Sequence, residues 1–214
     1  MNSIFLRAKH WQLFVPAIVV PFVTMITFSI IAFFAIIRLE KNNDRPEDFL
    51  WMFYLMPVIF ILCGFVQFGW SWSVLSKLSK LIPPHVRFPV RRVKLLFIVP
   101  ILYFCLLPFY IIFIIKTITY QDEANLLTVA VLGLFFFLLH FFSIFCMLHT
   151  FFFVAKTVKS IELQRNPRFS NFVGDFFLIW IFPVGIWFIQ PRINALVEKA
   201  TNFSAGQEEL IDSI

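Results

Sequence analysis

The sequence predicts an all-α protein whose helices form a transmembrane bundle. Hydrophobic residues make up 60% of its 214 residues and charged residues only 14%, whereas soluble domains carry about 25% charged residues. The apolar residues are gathered in long runs, and the 32 phenylalanines suit helices that face lipid. The bilayer is therefore the expected solvent for most of the chain.

Five apolar runs approach the length of about 20 residues that a helix needs to cross about 30 Å of hydrocarbon. They are residues 14–37, 49–70, 95–115, 126–154 and 172–189. The first run is too long for a signal-peptide core and lacks a small-residue cleavage site, so we expect it to remain as an anchor. These runs predict one transmembrane domain over residues 1–200, followed by a polar, mobile tail over residues 201–214.

The distribution of basic residues predicts the orientation of the bundle. The amino terminus and the connections at 76–94 and 155–171 together hold twelve lysines and arginines, and the opposite connections with the carboxyl-terminal region hold six. Because positive loops stay in the cytoplasm, the amino terminus is expected there. Five crossings would then place the carboxyl terminus outside.

The fifth run, 172–189, is open to two interpretations. Its proline match with the third run and the basic residues before it favour a crossing. Its short length, Asp175 near its start, and the sequence Phe182-Pro183-Val184-Gly185 favour a re-entrant or interfacial helix that returns to the cytoplasm. We predict the crossing, with the re-entrant helix as the alternative.

A tandem hairpin repeat is suggested by recurring prolines and lysines. Pro100 and Pro108 are spaced as are Pro183 and Pro191, 83 residues later, and the lysine pair of residues 77 and 80 recurs at 156 and 159. This order predicts two helical hairpins, each followed by a basic connector, and then a further copy of the odd helix. Chance recurrence in a biased composition is the alternative.

Polar side chains within the apolar runs are the candidate functional residues, because burying them in a membrane is costly. His140, Ser143 and Thr150 fall on one stripe of the fourth run at 100° per residue, and Gln67 and Asp175 lie in the second and fifth runs. Such a stripe is able to bind a polar group or relay protons. The structural alternative is hydrogen bonding between helices.

Other chemistry is not predicted. The three cysteines lie apart within apolar runs, so neither a metal site nor a redox pair is expected. A haem would need His140 or His149 and a second ligand from elsewhere, because nine helical residues rise about 13 Å. No metalloprotease, phosphate-binding or serine-nucleophile motif is present. We therefore predict no enzyme, no cofactor and no metal.

The connector at 83–92 combines prolines with bulky apolar and basic residues. Its arginines, Arg87, Arg91 and Arg92, are candidate contacts for anionic lipid headgroups, and they also act as an orientation signal. The net charge of +6 belongs to such membrane-flanking residues. Binding to nucleic acid is not expected.

The stretch from residue 154 to residue 194 resembles the carboxyl-terminal part of uncharacterised multi-spanning bacterial membrane proteins. Most of the likeness is carried by FPVGIWFIQPRIN, residues 182–194. The resemblance implies a bacterial inner membrane and transfers no functional residue, since that family has no assigned activity.

Two hypotheses for function follow. The first is a non-enzymatic subunit, scaffold or assembly factor that associates with membrane lipid and with other membrane subunits or copies of itself. The second is a small transporter or channel for a lipid-like or protonated substrate that uses the polar stripe with Asp175. A membrane enzyme or haem protein is a third, weaker alternative.

Overall fold

The computed structural model describes residues 4–42, 51–86, 88–119 and 123–212. Its helices are α1 (Ile4–Arg7), α2 (His10–Phe14), α3 (Val20–Asn42), α4 (Trp51–Ser76), α5 (Val90–Thr119), α6 (Glu123–Leu163), α7 (Phe169–Trp180) and α8 (Phe182–Asp212). A π-helical turn, Val15–Val19, joins α2 to α3, and a 3-10 turn, Leu78–Leu81, follows α4. No strand occurs in these ranges, so the predicted all-α class is confirmed.

Three helical stretches within the described ranges are long and apolar enough to cross a membrane: His10–Ala35, Val90–Thr117 and Leu126–Leu163. They correspond to the first, third and fourth predicted runs and are compatible with an integral membrane protein. The second run forms α4, which is 26 residues long. The fifth run is divided between α7 and α8.

The first span begins with a widened turn that accommodates Pro16. A proline inside a helix lacks an N–H and crowds the carbonyl one turn earlier. Here the N–H of Val20 donates to the carbonyl of Val15, five residues back, which is the bond of a π-helical turn. The helix therefore continues through the proline.

Helices α5 and α6 form an antiparallel pair. Tyr110 stacks on Phe136 with ring centroids 4.4 Å apart, and Phe88, just before α5, contacts Phe153 at 5.2 Å. The 41 residues of α6 rise about 60 Å, about twice the thickness of bilayer hydrocarbon, and its last turns continue past the start of α5.

The proline spacing that suggested a repeat corresponds to two different structures. Pro100 and Pro108 both lie inside the continuous helix α5. Pro183 lies at the start of α8 and Pro191 lies within it. Equal spacing therefore does not give α5 and the α7–α8 region the same shape.

The densest core lies where the end of α4, the carboxyl-terminal half of α6, and α7 and α8 meet α1 and α2. Its fully buried members include Trp70, Leu75, Phe151, Val158 and Ile189. This core brings α1 and α2 together with the first half of α8 and positions the polar residues described next.

Candidate functional site

Helices α7 and α8 are separated by one residue, Ile181, whose backbone leaves the helical region at φ −88° and ψ 61°. Its N–H donates to the carbonyl of Phe177 at 2.9 Å, and its carbonyl accepts from Val184 at 3.0 Å and from Gly185 at 2.9 Å. Pro183 stands in the first turn of α8, where a missing N–H costs no helical bond. The chain therefore changes direction with the polar groups of Ile181 satisfied.

Gly185 permits the close approach of the two helices at this turn. A Cβ placed on Gly185 would lie 1.7 Å from the carbonyl oxygen of Leu178. No larger residue fits there unless the backbone moves.

Asp175 on α7 and Arg192 on α8 show that the two helices fold back on one another. Nη1 of Arg192 lies 2.6 Å from Oδ1 of Asp175, and Nη2 lies 2.9 Å from Oδ2. In one straight helix, residues 17 positions apart would be separated by about 25 Å. Helices α7 and α8 are therefore an antiparallel hairpin, which we call the α7–α8 hairpin.

Arg192 also joins the hairpin to α6. Its Nε donates to Oε1 of Glu162 at 2.7 Å and its Nη2 donates to Oε2 at 2.8 Å. Lys159, one turn earlier on α6, donates to the same carboxylate at 3.0 Å. The planar fork of an arginine suits such two-sided binding of carboxylates.

The charges of this cluster balance, with two cations and two carboxylates. The Asp175 side chain is 11% exposed and the Glu162 side chain 21% exposed. Hydrogen bonds to Asp175 and then to Glu162 raise the pKa of Arg192 above its usual value, against the opposing effect of burial. The arginine therefore stays charged, and the cluster acts as a fixed link between three helices.

A second polar cluster surrounds Gln190, which is fully buried. Nε1 of Trp70 donates to Oε1 of Gln190 at 2.7 Å. Nε2 of Gln190 lies 2.8 Å from the Ala8 carbonyl oxygen, 3.0 Å from that of Phe5 and 3.0 Å from Oδ1 of Asn194. Because α1 has only four residues, its last carbonyls have no helical N–H to pair with, and Gln190 donates to that of Phe5. This cluster ties α8 to α4 and to the start of the chain.

The members of the predicted stripe on α6 make separate contacts and do not form one cluster. A ring nitrogen of His140 lies 2.8 Å from the hydroxyl of Tyr103 on α5. Thr150 donates to the carbonyl of Cys146 at 2.8 Å on its own helix. Ser143 is buried and its hydroxyl has no hydrogen-bond partner among the described residues.

The other two predicted site residues lie at the hairpin. Gln67 donates from Nε2 to the carbonyl of Ile179 at 3.4 Å, which places it against the last turn of α7. Asp175 forms an ion pair with Arg192. The structure therefore does not bring these two residues into one site with His140.

Of the predicted lipid contacts, Arg91 and Arg92 are exposed on the first turn of α5. Arg87 lies outside the described residues. In the described part of the chain, no group of three His, Cys, Asp or Glu residues is arranged to hold a metal ion.

Sequence reasoning missed Gln190, Arg192 and Glu162 as members of polar clusters. Gln190 and Arg192 belong to the FPVGIWFIQPRIN run, and Asp175 and Glu162 precede it. A signal was present, since Gln190 and Asn194, four residues apart, share a helix face after an apolar run, and Arg192 between them lies on another face. Without the hairpin turn, their partners were not predictable.

The described residues thus form a helical protein in which three stretches are long and apolar enough to cross a membrane. No protein-family model matches the chain, and neither a curated protein nor a solved structure shows significant similarity to it.

Proposed function

We propose that this chain is a multi-pass protein of the bacterial inner membrane that acts as a non-enzymatic subunit, scaffold or assembly factor. In this proposal α2 with α3, α4, α5 and α6 cross the membrane, and the amino terminus lies in the cytoplasm. The α7–α8 hairpin enters from the cytoplasmic side and returns to it.

The course of α8 supports the re-entrant alternative over a fifth crossing. The ring centroid of Trp187 lies 4.3 Å from that of His10 and 5.6 Å from that of Phe14. Further along α8, Asn194 lies 3.3 Å from the carbonyl of Ala8. Later residues of α8 therefore contact earlier residues of the amino-terminal region. This order makes α8 antiparallel to the first span, and α8 ends on the same side as residues 4–9.

The charge distribution agrees better with this topology than with five crossings. Arg192 and Lys199 move from the outer group of six basic residues to the inner group of twelve, which makes fourteen against four. The positive-inside rule is therefore followed more strictly. Arg192 also reaches its partner Glu162 without crossing the membrane.

One observation carries the proposal of association, the exposure of the hairpin tip, which in this topology lies part of the way across the membrane. The 12 residues of α7 rise about 18 Å, well short of about 30 Å of hydrocarbon. At the tip, Trp180 is 49% exposed, Ile181 55% and Val184 53%. The polar groups of Ile181 are satisfied within the chain, so the tip presents an apolar surface, and we infer that another subunit or a second copy packs over it.

Site-specific photocrosslinking tests this role. A benzophenone amino acid is introduced at Trp180 or Phe188 on the hairpin, and at Phe109 or Phe137 as matched controls, all of which are exposed aromatic residues. We expect one discrete protein adduct from the hairpin positions in intact membranes and none from the controls. An adduct of twice the chain mass identifies self-association. Equal labelling at all four positions, or lipid adducts alone, would contradict the proposal.

A further inference from the structure

An apolar groove runs along the surface between α4 and α5. Its volume is about 360 Å³, and its walls are four phenylalanine rings with Trp72, Ile101 and Cys105 and two glycines. This volume falls within the range of small-molecule sites. Along α5 the groove extends from Phe97 to Cys105, which is about 12 Å of helix rise.

A positive charge lies at one end of the groove. The Lys94 ammonium sits 5.3 Å from the centroid of the Trp72 ring, in a cation–π contact. Arg91 and Arg92 are exposed three and two residues before Lys94 on α5. The groove therefore begins at the basic end of α5 and continues into the apolar part of the helix.

The basic end of the groove has no acidic residue nearby in sequence to neutralise it. Neither aspartate nor glutamate occurs anywhere in residues 49–121, which include all of α4 and α5. No ion pair to Lys94 occurs within the described residues. The basic end of the groove therefore suits an anion that is not part of the chain.

The walls of the groove suit a flexible hydrocarbon chain better than a partner helix. Helices associate closely in membranes through small residues that let backbones approach. Here the space beside Gly64 is taken by the Phe68 ring, 2.9 Å from an added Cβ, and the space beside Gly69 by the Phe5 ring, 2.6 Å from one. Aromatic rings of this chain thus already occupy the space beside both glycines. Aromatic rings also line the rest of the groove.

We propose that this groove binds an acyl chain of an anionic glycerophospholipid, whose phosphate is held at Lys94. The ammonium supplies a compact charge at headgroup level, with Arg91 and Arg92 adding to the local positive potential. The apolar groove supplies the contact for the chain below it. This site does not depend on the subunit role proposed above or on the side at which the tail lies.

Native mass spectrometry of the full chain tests the site after exchange into detergent with equal amounts of phosphatidylglycerol and phosphatidylcholine. We expect the wild type to retain phosphatidylglycerol several-fold more than phosphatidylcholine. Lys94→Gln should abolish this preference and Lys94→Arg should keep it. Lys116→Gln, at the other end of α5, is the matched control and should behave as the wild type. Unchanged preference in Lys94→Gln overturns the proposal.

A second pair of variants tests the groove itself. Cys105→Trp fills it, whereas Leu106→Trp adds the same ring to the neighbouring exposed position outside it. We expect several-fold lower retention of phosphatidylglycerol in Cys105→Trp, a smaller loss in the milder Cys105→Leu, and none in Leu106→Trp. Equal retention in both tryptophan variants excludes the groove. Displacement of the lipid by inorganic phosphate, but not by chloride of equal ionic strength, would show a site for phosphate alone and would also overturn the proposal.

Discussion

Arg192 donates two parallel hydrogen bonds of 2.6 and 2.9 Å to Asp175, although the two residues are 17 positions apart in the sequence. A paired charge of this kind fixes the relative position of α7 and α8. Because the same guanidinium binds Glu162, it fixes both helices against α6 as well.

Neutralising Asp175 should destabilise the protein by about 2 kcal/mol. This lies between the weak effect of exposed ion pairs and the 3–5 kcal/mol of fully buried ones, since the Asp175 side chain is 11% exposed and that of Arg192 32%. The free energy of unfolding of Asp175→Asn, Arg192→Gln and the double variant, measured in mixed micelles, checks this. We expect the two single effects to be strongly non-additive. Lys199→Gln, at an exposed position on α8, is the control, and additive effects would show that the pair is not coupled.

Replacing Gly185 with alanine should open the hairpin turn. The added methyl would meet the Leu178 carbonyl oxygen at 1.7 Å, so we expect a loss of about 3 kcal/mol, the upper end of overpacking effects. Gly174→Ala on α7 is the matched control, because an added Cβ there meets nothing within 4 Å. Alanine favours helix by up to about 1 kcal/mol, so this variant should melt at the same or a higher temperature. Equal melting temperatures for both variants would contradict the close packing of Gly185 against Leu178 at the hairpin turn.

Gln190→Leu should be among the most damaging polar substitutions. It removes the hydrogen-bond partner of Nε1 of Trp70 and the side-chain donor to the carbonyl of Phe5, and a buried unsatisfied group costs about 1–3 kcal/mol. We expect a total loss of about 3 kcal/mol in unfolding experiments. Gln67→Leu removes one long bond of 3.4 Å and should lose less than about 1 kcal/mol. A reversed order of these two variants would contradict the assignment of Gln190 as the anchor of α8.

Reporter fusions decide the topology. A fluorescent reporter placed after Ile214 should fold in the cytoplasm, and alkaline phosphatase at the same place should be inactive. Alkaline phosphatase fused after Asn42, the last residue of α3, should be active and provides the positive control. Phosphatase activity after Ile214 would restore the fifth crossing and refute the re-entrant hairpin.

The helical class was predictable because long apolar runs with few charges fit few structures other than membrane helices. The hairpin formed by the fifth run was not predictable, because hydropathy measures how apolar a stretch is and not whether the chain turns within it. Phe182-Pro183-Val184-Gly185 is compatible with a kinked crossing or with a reversal. The choice depends on contacts far away in sequence, such as Trp70 with Gln190.

The polar candidates were predicted by the cost of burying them, which identifies residues but not their partners. Asp175 was selected as a polar residue in an apolar run, and the structure buries it, whereas Arg192 was counted among the outer basic residues because the predicted crossing placed it there. His140 was selected together with its helix neighbours, yet its contact is Tyr103 on another helix. Spacing along one helix cannot reveal such pairs.

The link made by Arg192 also bears on the order in which the chain is made. Synthesis runs from the amino end, so Asp175 reaches the membrane 17 residues before the arginine that neutralises it. In the proposed topology, α7 entering alone would carry this carboxylate without its partner, and a buried charge without its partner is costly. We therefore expect the two helices of the hairpin to enter together, after Arg192 has left the ribosome, as a single, late step in biogenesis.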